Sequence, residues 1–220
     1  MEKGKLIVFE GIDGSGKATQ AKLLLASLKR KGYKTEYIDF PRYHDSFHGK
    51  VVARYLKGEF GRLEEINPYL SALPYALDRL MAKDEIKRFL AQGKIVVANR
   101  YVSSNMAYQA ARLKKSQREA FQRWLSEMEY KVHALPEENL VIFLNVPSEI
   151  GQKLIDKRGE RDLYEKSLPY LKKVEKIYLA LARGKNWAKI ECVSRAGKIK
   201  TKAEIHRSLV SLLEKRGLLN

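Results

Sequence analysis

Short apolar runs alternate with amphipathic stretches along the chain, and the two patterns predict different elements. Residues 6–10 (LIVFE) form a continuous apolar run that stops at Gly11, as a strand buried on both faces would. Residues 17–31 carry Leu23, Leu24, Leu25 and Leu28 at helical spacing and end near Gly32. Alternation over 35–40 predicts a second strand, closed by Pro41. A long helix is expected over 68–91, a third strand over 94–98 (KIVVA), and helical stretches over 103–113 and 116–131. The fourth strand is 140–146 (LVIFLNV), and 148–157 starts as a helix that charge and a glycine interrupt at 158–162. A further helix, bent near Pro169, is expected over 164–183. A fifth strand over 187–193 and a closing helix over 202–215 complete the pattern.

Strands alternating with crossover helices predict the α/β class, a parallel sheet covered on both faces. Ligands of such sheets bind at the carboxyl ends of the strands. No repeat, composition break or low-complexity linker divides the 220 residues, so 1–220 is read as one domain. Apolar residues make up 45% of the chain, enough for an ordinary core. Apolar stretches such as 141–144 fall far short of the ~20 residues that span a bilayer, and 1–5 lead into a strand without a signal-like segment. A single cysteine, Cys192, forms no internal disulfide or cysteine-based metal site, which points to the cytoplasm. The net charge of +17 attracts anions, nucleic acid and phosphorylated small molecules alike. Because the lysines are dispersed, they are read as a solvated surface and not as a dedicated nucleic-acid site.

The sharpest chemical signal is Gly11-Ile12-Asp13-Gly14-Ser15-Gly16-Lys17, which fits G-x-x-x-x-G-K between a predicted strand and a predicted helix. Glycines let the backbone wrap a phosphate chain, and amide groups at the helix start supply partial positive charge. Lys17 would reach the outer phosphates, so 11–19, including Ala18 and Thr19, is the expected ATP-binding segment. The motif usually continues with Ser or Thr as a Mg²⁺ ligand. Ala18 has no oxygen to offer, which argues against a switching GTPase or motor ATPase but not against nucleotide binding. A carboxylate beside phosphates is costly unless it meets a hydroxyl or cation, so Asp13 is read as functional.

Several further segments together resemble thymidylate kinases. They are Phe9-Glu10-Gly11-Ile12-Asp13, Phe40-Pro41-Arg42, Tyr75-Ala76-Leu77-Asp78-Arg79, Asn99-Arg100-Tyr101, Ser104-Asn105-Met106-Ala107-Tyr108 and Arg161-Asp162-Leu163-Tyr164-Glu165, spread from residue 5 to about residue 180 in the family's order. The resemblance implies a three-layer P-loop kinase fold with a five-stranded parallel sheet of order 2-3-1-4-5 and a short lid at about 157–163. It implies phosphoryl transfer from ATP, with Mg²⁺, to thymidine monophosphate in deoxynucleotide synthesis, and a homodimer. Arg42 and Arg100 would clamp the acceptor phosphate, while Tyr75 stacks on the base and Arg79 reads its edge. Ser104 and Asn105 would contact the base, with Tyr108 under the deoxyribose and Phe40 lining the same site. Asp13 would approach the sugar hydroxyl and the metal, which Glu165 would help position through water. Adenine contacts are expected around 194–198.

Two departures from the family pattern bear on activity. Some thymidylate kinases carry an arginine where this loop has Gly14, so the catalytic cation is expected from the lid, as Arg158 or Arg161. Asn99 stands where an aspartate is usual. Phosphoryl transfer relies mainly on positioning and cations, so activity is favoured. The alternatives are a catalytically weakened nucleotide-binding homologue and a kinase for another pyrimidine monophosphate.

Overall fold

Strand β1 (Lys5–Glu10) is buried along nearly its whole length, and its alternate side chains divide the core in two. Ile7 and Phe9 pack with Leu24 and Leu28 of helix α1 (Lys17–Arg30) and with Leu209 and Leu213 of α8 (Lys202–Lys215). Leu6 and Val8 face the other way, toward Ala82 and Ile86 of α3 (Pro68–Ala91) and Val102 of α4 (Val102–Ala110). With both faces covered, the sheet needs the near-continuous apolar runs that the sequence carries.

In this computed structural model, which describes residues 4–156, 159, 162–165 and 167–218, five parallel strands form one sheet of order β2-β3-β1-β4-β5. Besides β1 they are β2 (Thr35–Asp39), β3 (Ile95–Asn99), β4 (Leu140–Asn145) and β5 (Trp187–Glu191). The order is the expected one, and it sets the carboxyl ends of β1 and β3 side by side, with Phe9 opposite Asn99. Chain reversal in strand order at β1 makes the switch-point crevice where such sheets bind ligands. Among the described residues no helix is long and apolar enough to cross a membrane.

Three departures from the predicted elements have physical causes. Helix α2 (Phe47–Leu56) lies in a stretch read as loop; it is capped by the Ser46 hydroxyl, which accepts from Gly49 N at 2.8 Å. Helix α5 (Lys115–Ser126) passes into a π-helical turn, Glu127–Val132, where one continuous helix was expected. Helix α7 (Leu168–Leu181) begins four residues later than predicted: Pro169 sits in its first turn, where a missing N–H is harmless, and Ser167 caps it. Pro169 therefore starts a helix and bends none. Helix α6 (Ser148–Asp156) completes the set.

Candidate active site

The turn from β1 into α1 wraps a recess through left-handed Gly14 and Gly16, at φ 77° and 84°. The first turn of α1 carries no acidic residue, so its amide dipoles face the recess unopposed. The Lys17 ammonium folds back onto the Ile12 carbonyl at 2.8 Å. Burial, reinforced by the Arg100 cation and partly opposed by Asp13, Glu10 and Asp39, lowers its pKa to about 7. A phosphate would reverse that balance. The cavity around this turn, about 560 Å³, is lined by residues 13–20, by Asn99 and Arg100, by Leu154 and Ile155 of α6, and by Ile199–Lys202 with Ile205. Ala18 and Thr19 lie on its wall, whereas the loop at 194–198 does not line it.

Gly14 has no room for a side chain. A Cβ there would stand 2.7 Å from the Gly151 carbonyl, and one on Gly151 would stand 2.6 Å from Ile12 Cδ1. Helix α6 thus packs backbone to backbone against the loop, which explains in steric terms why residue 14 is glycine.

A second cavity, about 280 Å³, opens on the other side of Asp13 and Arg100. Phe40, Pro41, Tyr43, Tyr75, Tyr108 and Tyr164 give it aromatic and apolar walls, and Arg79, Ser104, Asn105, Asp162 and Glu165 give it polar ones. Asp13 and Arg100 line both cavities and form an ion pair with each other. Tyr108 donates to Asp13 Oδ2 at 2.6 Å, accepts from the Asp13 amide at 3.1 Å, and carries the Arg100 guanidinium 5.1 Å from its ring centroid.

Arg100 adopts φ 66°, a left-handed conformation that a side-chain-bearing residue holds only when its surroundings enforce it. Glu10 supplies that enforcement. Its buried carboxylate accepts from the amides of Tyr101 (2.9 Å) and Ser104 (3.0 Å), from the Ser104 hydroxyl (2.6 Å) and from the Tyr178 hydroxyl (2.8 Å). The last residue of β1 thereby pins the backbone that follows Arg100 into the start of α4. Ser104 spends its amide and hydroxyl there, although it also lines the cavity and accepts from Arg100 at 3.1 Å.

The remaining expected residues sit as follows. Arg79 is buried and paired with Glu129 at 2.5 and 2.6 Å, and Asn105 donates to the Ala72 carbonyl at 3.0 Å while its Oδ1 has no protein partner. Arg42 is turned onto Asp78, donating from its amide (2.8 Å) and Nε (3.0 Å), and lines neither cavity. Asn99 donates to Asp39 Oδ1 at 2.7 Å, so a carboxylate from β2 stands beside the residue that lacks one. Asp162 accepts from the amides of Tyr164 and Glu165 at 2.8 and 3.0 Å. Burial, then the charges of Asp13 and Glu165, raise its pKa to about 7. Arg158 and Arg161 lie outside the described residues.

Sequence reasoning missed Glu10, Glu129, Tyr43, Asp162 and Tyr164 as parts of the site. Glu10 had a visible signal, a carboxylate ending an otherwise apolar strand; Glu129 had none, because an acidic residue in an amphipathic helix is ordinary.

The thymidylate kinase family model matches residues 9–205. A thymidylate kinase of Mycobacterium tuberculosis is 32% identical over 183 residues, 80% of this chain and 85% of its own. One of Plasmodium falciparum is 31% identical over 214 residues, 97% and 91% of the two chains. A probable thymidylate kinase of Archaeoglobus fulgidus is 37% identical over 175 residues, 79% and 80%. The solved structure of a thymidylate kinase from Candida albicans superposes with a TM-score of 0.78 over 98% of this chain and 93% of that one; at 23% identity this likeness carries the fold alone. The chain belongs to the thymidylate kinase family.

Proposed function

We propose that this enzyme transfers the γ-phosphoryl group of ATP to the phosphate of thymidine monophosphate, giving ADP and thymidine diphosphate. The observation that carries the reading is the meeting of two cavities at Asp13 and Arg100, one walled by the phosphate loop and one by aromatic rings. In the first, the amides of 11–19 and the Lys17 ammonium hold the donor phosphates. In the second, Tyr75 and Phe40 pack the base, Arg79 and Asn105 read its edge, and Tyr108 with Asp13 meets the sugar. Arg100 spans the junction, where it holds an acceptor phosphate oxygen in line with the γ-phosphorus. That oxygen forms the new bond as the bond from the γ-phosphorus to the ADP oxygen breaks. Arg42 joins the clamp by releasing Asp78, and a lid arginine, Arg158 or Arg161, covers the spreading charge.

Among the described residues no three acidic, histidine or cysteine side chains converge as a ready metal site, but Mg²⁺ keeps several waters and needs only one or two carboxylates beside substrate phosphates. Asp13, Asp162 and Glu165 place hard oxygen donors on one cavity, and burial, with the charges of Asp13 and Glu165 added, raises the pKa of Asp162 there. Asp13 and Glu165 would hold the ion, which when bound neutralises developing phosphate charge. The Asp39 carboxylate against Asn99 favours activity over a binding-only homologue, because it keeps negative charge at the end of the sheet. The proposal includes a cytoplasmic homodimer. Phe47 on α2 and Leu70 and Met81 on α3 are large apolar side chains left exposed in the single chain.

A coupled ADP-release assay with Mg²⁺·ATP tests the proposal, using thymidine, deoxyuridine, uridine and deoxycytidine monophosphates as acceptors. Turnover highest on thymidine monophosphate is expected, with loss of about three orders of magnitude in Lys17→Ala and in Arg100→Ala. Tight binding of both nucleotides without product would overturn the kinase reading in favour of a binding protein.

A further inference from the structure

Glu129 is wholly buried, yet it belongs to no cavity wall and to no part of the phosphate machinery. It reaches the interior because the helix around it widens into a π-helical turn, a local distortion often found beside functional sites. Its carboxylate touches two of the polar residues that line the base pocket, Arg79 and Asn105. Oε2 and Oε1 accept from Nε and Nη2 of Arg79 at 2.5 and 2.6 Å, a bidentate fork, and Oε1 also accepts from Nδ2 of Asn105 at 3.5 Å.

We infer that Glu129 is a positioning residue that sets pyrimidine specificity, by fixing which atoms of Arg79 and Asn105 face the bound base. The inference rests on the nucleotide-binding reading above and adds a determinant to it. Three of the five guanidinium donors of Arg79 are committed, two to Glu129 and one to the Tyr101 carbonyl at 3.3 Å, so the plane of the fork is fixed while N–H groups remain for a ligand. The Asn105 amide is fixed as well. Its Nδ2 lies between the Ala72 carbonyl and the Glu129 carboxylate, so a flipped amide would set Oδ1 against two acceptors. Oδ1 is therefore the atom left without a protein partner.

Arg79 and Asn105 both line the cavity, and on this inference the pair that a bound base meets is a donor of the Arg79 fork and the buried, unpartnered Asn105 Oδ1. Thymine and uracil present the complement, a carbonyl next to a ring N–H. Cytosine presents the reverse, an amino group next to a bare ring nitrogen, and meets two mismatches. A site built to satisfy one hydrogen-bonding edge rejects the reversed edge because its own buried groups are left unpaired. Guanine carries the matching pair on a larger ring, so the comparison belongs within the pyrimidines.

The test is equilibrium binding of thymidine and deoxycytidine monophosphates to the wild-type chain, to Glu129→Gln and to Glu129→Asp by calorimetry, with turnover measured in parallel. Gln can turn an N–H toward Asn105 and permits the flipped amide, so the thymidine-over-cytidine preference should fall by about tenfold or more in Glu129→Gln. Asp keeps the buried charge opposite Arg79 but withdraws from Asn105. It should fold as the wild type does and lose part of the preference. A purely structural role would weaken both nucleotides in parallel and leave their ratio unchanged; that result in either folded variant overturns the inference, as does a wild-type chain that binds the two equally. Preferential binding of thymidine monophosphate without turnover would sink the proposed reaction but leave this inference to be decided by the ratios.

Discussion

Lys17 shows how one residue's burial becomes a pH dependence. Its ammonium ordinarily titrates near 10.5 and here near 7, so between those values the folded chain carries one proton fewer at this site than the unfolded chain. Stability from this group therefore rises with pH across that window. Bound triphosphate favours the ammonium, so ATP binding takes up a proton above about pH 7 and its apparent affinity falls as pH rises. Calorimetry at pH 8 in two buffers of different ionisation enthalpy should read that uptake, and Lys17→Met should abolish it. Uptake unchanged in the variant would assign it to another group, such as Asp162. Glu10 makes the other residue-scale prediction. Replacing it with Gln keeps the shape but removes the charge and leaves an N–H that must displace the protons the Ser104 and Tyr178 hydroxyls now donate, so the variant should lose about 1–3 kcal/mol of stability. Its kcat should fall more than its KM for ATP, because Arg100 loses its enforced backbone while the phosphate loop is untouched. Equal losses in both parameters would count against that role.

At the scale of elements, much was legible and the gaps have causes. The G-x-x-x-x-G-K turn was readable because glycine, lysine and the flanking periodicities are all local signals. The strands β1, β3 and β4 were readable because burial on both faces leaves continuous apolar runs. Helix α2 was not: its Ser46 cap is a local signal that sequence reasoning missed, and its seat against α3 depends on residues further along the chain. The π-helical turn was invisible for the same reason: Glu127–Val132 reads as ordinary helix until Arg79, about fifty residues away, defines which way Glu129 must point. Arg42 was read as a free phosphate ligand because its partner Asp78 looked like one more helix residue. The contact of α6 with the phosphate loop yields an element-scale prediction. Gly151→Ala places a methyl 2.6 Å from Ile12 Cδ1 and 3.1 Å from the Asp13 carbonyl, so the buried Ile12 side chain must move and the loop backbone must give by a few tenths of an ångström. Overpacking of this kind costs about 1–3 kcal/mol, and KM for ATP should rise several-fold. A thermal melt and an ATP titration check both, and wild-type values in each would refute the tight contact.

For the molecule as a whole, the net charge of +17 and the two-cavity layout act on the same ligands. A positive field steers nucleotides toward the crevice and is screened beyond about 10 Å at 0.1 M salt. Raising salt from low to about 0.5 M should therefore lower kcat/KM for both nucleotides several-fold while leaving kcat nearly constant; kcat falling in step would place the salt effect on the chemistry instead. Fold class and strand order were already implied by the alternation of elements and by the family resemblance, whereas the sharing of Asp13 and Arg100 between two cavities is a property of the assembled sheet that no local stretch encodes. The abutting backbones of Gly14 and Gly151 carry a historical consequence. A single substitution cannot set an arginine into this loop at residue 14, because any side chain there collides with α6 before it can reach a phosphate. A lineage adding a cation at that position would first have to move a helix.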